Sequence, residues 1–314
     1  MVRGQTMRNR YVLTASMLAL LVTASVSAQE TKPLEISADE LVRAAVANEV
    51  AAANQTKALH MFRSHKQTPK GSQTKLYIET EDALAAMLIA VNDQPITTQQ
   101  QQAEYGHLDW LMSNPDQLRK KHAREKEDEE LTMRILKALP DAFRYEYDRT
   151  GAAEASDGDP LVKLKFSPNP SYSPPSRVEQ VLPGMQGYLV IDTRVRRIAR
   201  IDGTLFRDVS FGWGIIGRLD KGGHFLVTQS DLGLGDGAWG ITEMSLNITG
   251  KILLFKGLTM VFDEVLSDFQ KLPEKLTFAQ GVERLKAEQE RLAHGGHPET
   301  ATEAQKSEAQ KTPR

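Results

Sequence analysis

The stretch 187–265 constrains the fold most, because short apolar runs rich in β-branched and aromatic residues recur along it. Branched and aromatic side chains pack well on a pleated surface and favour strands. Asp202-Gly203, Gly222-Gly223, Asp236-Gly237 and Gly250 punctuate the runs, and glycine reaches the positive φ that tight turns demand. Short strands returning at this spacing predict an antiparallel meander in a sandwich or barrel. No catalytic constellation stands out within it.

Upstream, Ser37 or Asp39 caps a helix that buries Leu41, Val42, Ala45, Val46 and Val50 at helical spacing. Residues 58–65, 73–79 and 83–91 read as three strands, turned by Pro69-Lys70-Gly71 and Glu81-Asp82. A helical insertion covers about 103–139. Its first helix carries Leu108, Leu111 and Met112, and its second opens with Asn114 as N-cap and Pro115 at the first helical position. From 119 to 130 this second helix is nearly all charged. Such a run is either a solvent face held by i,i+4 pairs or a partner-binding surface. Leu131, Ile135 and Leu139 return it to the core, and Pro140 stops it.

Two further strands follow at 142–147 and 161–166, and then four prolines within 167–177 exclude helix and central strand. After the long meander, a helix from Phe278 to about Leu292 turns Val282 and Leu285 inward, and 294–314 reads as a disordered tail. The expected fold class is α+β: a curved antiparallel sheet or incomplete β-barrel covered by helices, in one β-rich domain over 29–293.

The first 28 residues give the expected address. Arg3, Arg8 and Arg10 precede the apolar run 11–26, and Ser25-Val26-Ser27-Ala28 offers a small-residue cleavage site. That order is a secretory signal peptide, too short and wrongly flanked for a lasting span. The expectation is a soluble periplasmic protein, and with no cysteine in the chain it has no thioether-linked lipid anchor, disulfide or cysteine zinc site. Removing the leader's three arginines leaves 36 basic against 41 acidic residues, a net charge of −5. A mildly acidic chain without a basic stripe excludes nucleic acid as the expected partner.

Gly212-Trp213-Gly214-Ile215-Ile216-Gly217 spells G-x-G-x-x-G, but the residues after it turn and return as a strand. A dinucleotide site needs those glycines between a strand and a helix, so no cofactor is expected. The P-loop, G-x-S-x-G and H-E-x-x-H patterns are missing. His294 and His297 lie in a polar tail without fixed carboxylates, and no metal is expected there. Trp213, Phe225, Trp239, Phe255 and Phe262 stand out in a chain that is only 6% aromatic. On a sheet they either line an apolar cavity or fill a solid core beneath the helices.

LPDAFRYEY (139–147), FSPNPSYSPPSR (166–177), FGWGIIGRLDKGGHF (211–225) and TGKILLFK (249–256) resemble a group of exported bacterial proteins with no assigned activity. GSQTKLYIET and LIAVNDQPIT extend the resemblance over most of the chain after the leader, and it carries over no catalytic residue. The order of helix, meander, helices and long meander is similar to the periplasmic lipoprotein carriers of the LolA/LolB type. That similarity implies an incomplete antiparallel barrel that closes on helices and holds acyl chains. Two departures stand against it: the long charged helix at 115–139, and the missing cysteine that a LolB-like anchor requires.

The expected function is non-catalytic binding or carriage of an apolar ligand, either a lipid or the acyl chains of a lipoprotein. Trp213, Ile215, Phe225, Trp239, Ile241, Leu254 and Phe255 are the candidate cavity-lining residues, and a one-residue slip of register would turn them outward. The alternative is an envelope scaffold whose charged helix binds an envelope protein partner. A further alternative is a hydrolase assembled from scattered groups such as Asp220, His224 and Asp231.

Overall fold

The computed structural model describes residues 36–55, 58–148, 160–211, 217–235, 237–252, 256–272 and 275–294. The expected leader and the tail beyond 294 lie outside the described residues.

Helix α1 (Ala38–Ala53) begins at Ser37, which accepts from the Glu40 N–H at 3.2 Å while the Glu40 carboxylate accepts from Ser37 N at 3.0 Å. This reciprocal box satisfies two donors that a helix start leaves free. Thr97 with Gln100 repeats it at α2 (Thr98–Ser113), and Thr277 with Gln280 at α4 (Phe278–Ala293). Helix α3 (Pro115–Ala142) differs from expectation at both ends. Asn114 does not cap it; the Asn114 amide instead donates to the Trp110 carbonyl at 2.6 Å, closing α2. Nor does Pro140 stop it, since the helix runs on to Ala142. The missing N–H falls in the last turn, where a single lost bond costs little against the packing of Leu139 and Ala142.

Among the described residues thirteen strands form one antiparallel sheet. The first group is β1 (His60–Thr68), β2 (Gly71–Ile78), β3 (Ala85–Val91) and the short β4 (Gln94–Pro95). Then come β5 (Phe143–Tyr147), β6 (Leu161–Pro168), β7 (Met185–Asp192) and β8 (Arg197–Leu205). The last group is β9 (Val209–Phe211), β10 (Gly217–Leu219), β11 (His224–Asp231), β12 (Trp239–Ile252) and β13 (Lys256–Lys271). Their order is β4-β3-β2-β1-β13-β12-β11-β8-β7-β6-β5, with β10 beside β12 and β9 beside β10. The sheet is unclosed, with β4 and β5 at its edges.

The expected short strands are corrected for the last pair, because β12 and β13 run 14 and 16 residues. Two glycines read as turns lie inside strands. Gly203 is in β8, where an added Cβ would meet the Phe225 ring at 2.0 Å; Gly250 is in β12, where it would meet the Arg218 carbonyl at 2.1 Å. Both serve close approach of a ring or a strand, the other use of a glycine in a sheet. Gly222 and Gly237 do take positive φ, at 89° and 72°.

Two cores form on opposite faces of this sheet. Tyr145, Leu164, Phe166 and Leu189 on β5–β7 pack under α1 and the end of α3. Met61, Leu76, Ile78 and Met87 on β1–β3 point the other way and pack under α2 and α4 with Phe278, Val282 and Leu285. Side chains alternate faces along a strand, so the Met61 core and the neighbouring Phe62 ring lie on opposite sides.

Gly203→Ala should lower the thermal midpoint, since overpacking a filled site costs about 1–3 kcal/mol. A midpoint equal to wild type in differential scanning calorimetry would contradict the close packing of Phe225 on β8.

Candidate functional site

Between the two cores the face that carries the Tyr145 cluster continues over β11, β12, β13 and β1. There it borders a cavity of about 1210 Å³. Strand register explains why the lining is apolar. Phe225 of β11 opposes Leu246 of β12, which opposes Phe262 of β13, so all three share the cavity face. Val227 and Met244 form the next row. Phe62 of β1 ends the floor, stacked on Phe269 at 5.4 Å and on Tyr77 at 5.2 Å between ring centroids.

Two bulges keep the large apolar side chains on this face along the two long strands. Glu264 is a buried exception: it opposes Met244 and accepts from Ser64 at 2.6 Å and from Lys66 at 3.0 Å. Between Ile241 and Glu243 the register with β11 shifts by one residue, and Trp239 and Ile241 thereby stay on the side of Met244 and Leu246. On β13 the shift falls at Asp268, at φ 54°, and keeps Phe269 on the side of Phe262 and Leu266. A bulge inserts one residue, bends its strand and re-aims the side chains beyond it.

The opposite wall is helical. Ala52 and Ala53 from the end of α1, with Met133 and Leu136 from α3, border the cavity. Glu49 fixes this wall to the sheet: Arg197 donates to both of its carboxylate oxygens, at 2.8 and 2.7 Å, and Ile198 N–H donates to one at 2.9 Å. Glu49 is 8% and Arg197 17% exposed at the side chain, so the pair is buried and bidentate. The guanidinium also lies 5.8 Å from the Trp239 ring, and the Trp239 indole N–H donates to Ile198 O at 3.3 Å. Trp239 is therefore held in place at the start of β12, where the sheet meets the wall.

Polar groups gather at the β1 end. Glu79 accepts from His60 N–H at 2.8 Å and meets the His60 Nδ1 at 3.0 Å, while His60 Nε2 is buried with no hydrogen-bond partner among the described residues. Burial, with the Glu264 charge as a second cause, pushes the Tyr77 phenol above its ordinary range. Burial raises the Tyr145 phenol further still, and its hydroxyl donates to Leu139 O at 2.9 Å. Both phenols stay neutral at physiological pH and add no charge to the site.

Of the residues expected to line a cavity, Phe225, Trp239 and Ile241 border this one. Trp213, Ile215, Leu254 and Phe255 lie outside the described residues. Phe62, Phe269 and Met133 were not singled out by sequence reasoning. Phe269 sits beyond a bulge that no periodicity announces, and Met133 comes after a run of charge. The groups considered for hydrolysis are committed to separate partners: His224 Nε2 to Asp202 at 2.9 Å, Asp220 to Arg218 at 3.0 Å, and Asp231 to Gly233 N–H at 2.8 Å. No cluster of metal-ligating side chains occurs among the described residues. No described helix is long and apolar enough to cross a membrane.

Comparison with protein-family models, curated proteins and solved structures finds no match to this chain.

Glu49→Leu should cost about 3–5 kcal/mol, because it strands a buried guanidinium. Glu49→Leu with Arg197→Leu should restore most of that loss. Urea unfolding of the two variants checks the pair, and a single-variant loss below about 1 kcal/mol would refute the clamp.

Proposed function

We propose that this protein binds or carries a long-chain apolar ligand, a lipid or the acyl chains of a lipoprotein, within the cavity between β11–β13 and the α1–α3 wall. One observation carries the reading: the cavity's size together with its lining. Ordinary small-molecule sites hold roughly 300–1,000 Å³, and this one holds about 1210 Å³. A sealed, empty void of 1210 Å³ at about 24 cal/mol per Å³ would cost roughly 29 kcal/mol. Whole domains are stable by only about 5–15 kcal/mol. The space is therefore open or occupied, and Phe225, Val227, Met244, Leu246 and Phe262 give water few partners. An alkyl chain gains about 0.8 kcal/mol for each methylene moved there from water.

In this reading the protein acts without catalysis, and the expected leader sends it to the periplasm. An unclosed antiparallel sheet with a helical wall also supports the LolA/LolB-like architecture expected from the order of elements, although the long charged α3 remains a departure from it. Fold likeness alone is weak warrant for function, so the cavity bears the argument.

Mass spectrometry of protein purified from its native envelope without detergent should find retained acyl lipid or lipoprotein fragments. Leu246→Trp, which fills the middle of the floor, should lose most of that ligand while keeping or raising the thermal midpoint. Recovery of the protein free of any lipid would overturn the proposal.

A further inference from the structure

The hairpin of α2 and α3 carries cations that are not all paired. Arg119, Lys120, Lys121, Arg124 and Lys126 crowd the first half of α3, where only Asp116 supplies an acid in the first turn. Lys120 and Arg124, four residues apart, repel one another.

Three of the carboxylates nearby are engaged, whereas Glu127 and Asp128, three and four residues after Arg124, make no ion pair among the described residues. Asp116 pairs with Arg119, and Glu125 pairs with Lys121 while accepting from Leu84 N–H at 3.1 Å. Glu104 accepts from Leu88 N–H at 3.0 Å. Both glutamates thus satisfy donors along the free edge of the sheet, a separate structural duty. Lys75, Lys120 and Arg124 make no ion pair and no side-chain hydrogen bond among the described residues.

These three cations border a second cavity of about 670 Å³, with Asp128 as the one unengaged acid beside them among its described lining. Trp110 borders it too, 48% exposed and stacked near His107 at 6.1 Å between ring centroids. Residues 119–130 hold five basic and five acidic residues, so the excess of positive charge is confined to the cavity's lining, where Lys75, Lys120, Lys121 and Arg124 stand with Glu104, Glu125 and Asp128. An exposed indole beside unpaired lysine and arginine matches the chemistry of a lipid headgroup layer. The ring sits at the apolar boundary and the cations meet phosphates.

We propose that the α2–α3 hairpin docks this protein on an anionic phospholipid surface through Trp110, Lys75, Lys120 and Arg124. Lipid phosphates would offset the repulsion between Lys120 and Arg124. This goes beyond the carrier reading and shares no residue with the acyl cavity. It gives such a carrier a defined place to meet a bilayer.

Flotation of the purified full chain with phosphatidylcholine vesicles, with and without phosphatidylglycerol, tests the proposal. The protein should float with the anionic vesicles only and detach as salt is raised. Lys120→Ala with Arg124→Ala should weaken that binding roughly thirty-fold, at about 1 kcal/mol for each cation lost near the surface. Trp110→Ala should weaken it as well. All three side chains are exposed and make no ion pair, so circular dichroism and thermal midpoint should match wild type. No flotation, equal flotation with both vesicle types, or an unchanged double variant would each overturn the inference. A protein that retains lipid in mass spectrometry yet ignores vesicles would sink this docking surface and leave the carrier reading standing.

Discussion

An apolar sheet face wider than its helices cover is the constraint on which the rest of this molecule depends. The path from β4 to β5 is long, and the helices pack near its two ends on opposite faces. The middle strands keep apolar side chains on one face, with the wall of α1 and α3 across a gap instead of in contact. Glu49 sets that wall by tying α1 to the start of β8 through a buried guanidinium and a backbone N–H. The bidentate geometry fixes orientation as well as distance. The reverse face of the same strands is polar, with Ser245 donating to Asp263 at 2.6 Å. The apolar side therefore has one place to be satisfied: the gap beneath the helical wall.

Much of the fold was legible because local chemistry decided it. Ser37 stands three residues before Glu40 and opens α1 as expected, whereas the same signal at Thr97 and Gln100 is hidden in a polar run, so α2 begins at Thr98 and not near 103. The apolar periodicity of 278–292 fits α4, whose Val282 and Leu285 are fully buried. What misled were residues whose role is set by something distant in sequence. Gly203 looks like a turn until the Phe225 ring lies over it, and Gly250 until the Arg218 carbonyl approaches. Asn114 reads as a cap for the helix after it and serves the helix before it.

The site was legible only in part, for a similar reason. Phe225, Trp239 and Ile241 drew attention as large apolar groups in a strand-rich stretch, and they border the cavity. Their common face, however, depends on the bulge between Ile241 and Glu243, which no alternation of residue types predicts. The helical wall was hidden by charge. Residues 119–130 read as a solvated face; Ile135 and Leu139 read as returning to the core and do border the cavity, but nothing in the sequence marks Met133 and Leu136 beside them. One helix thus serves two surfaces, its first half at the hairpin cavity and its second half at the larger one.

The central claim is that acyl chains occupy the gap beside Trp239, and quenching of that indole tests it most directly. With Trp110→Phe and Trp213→Phe in place, Trp239 is the sole tryptophan left, since the chain has three. A fatty acid brominated along its chain should quench this emission saturably, and an unbrominated chain of the same length should compete the quenching away. Emission that stays unchanged, or falls linearly without saturation or competition, would contradict a cavity that holds acyl chains.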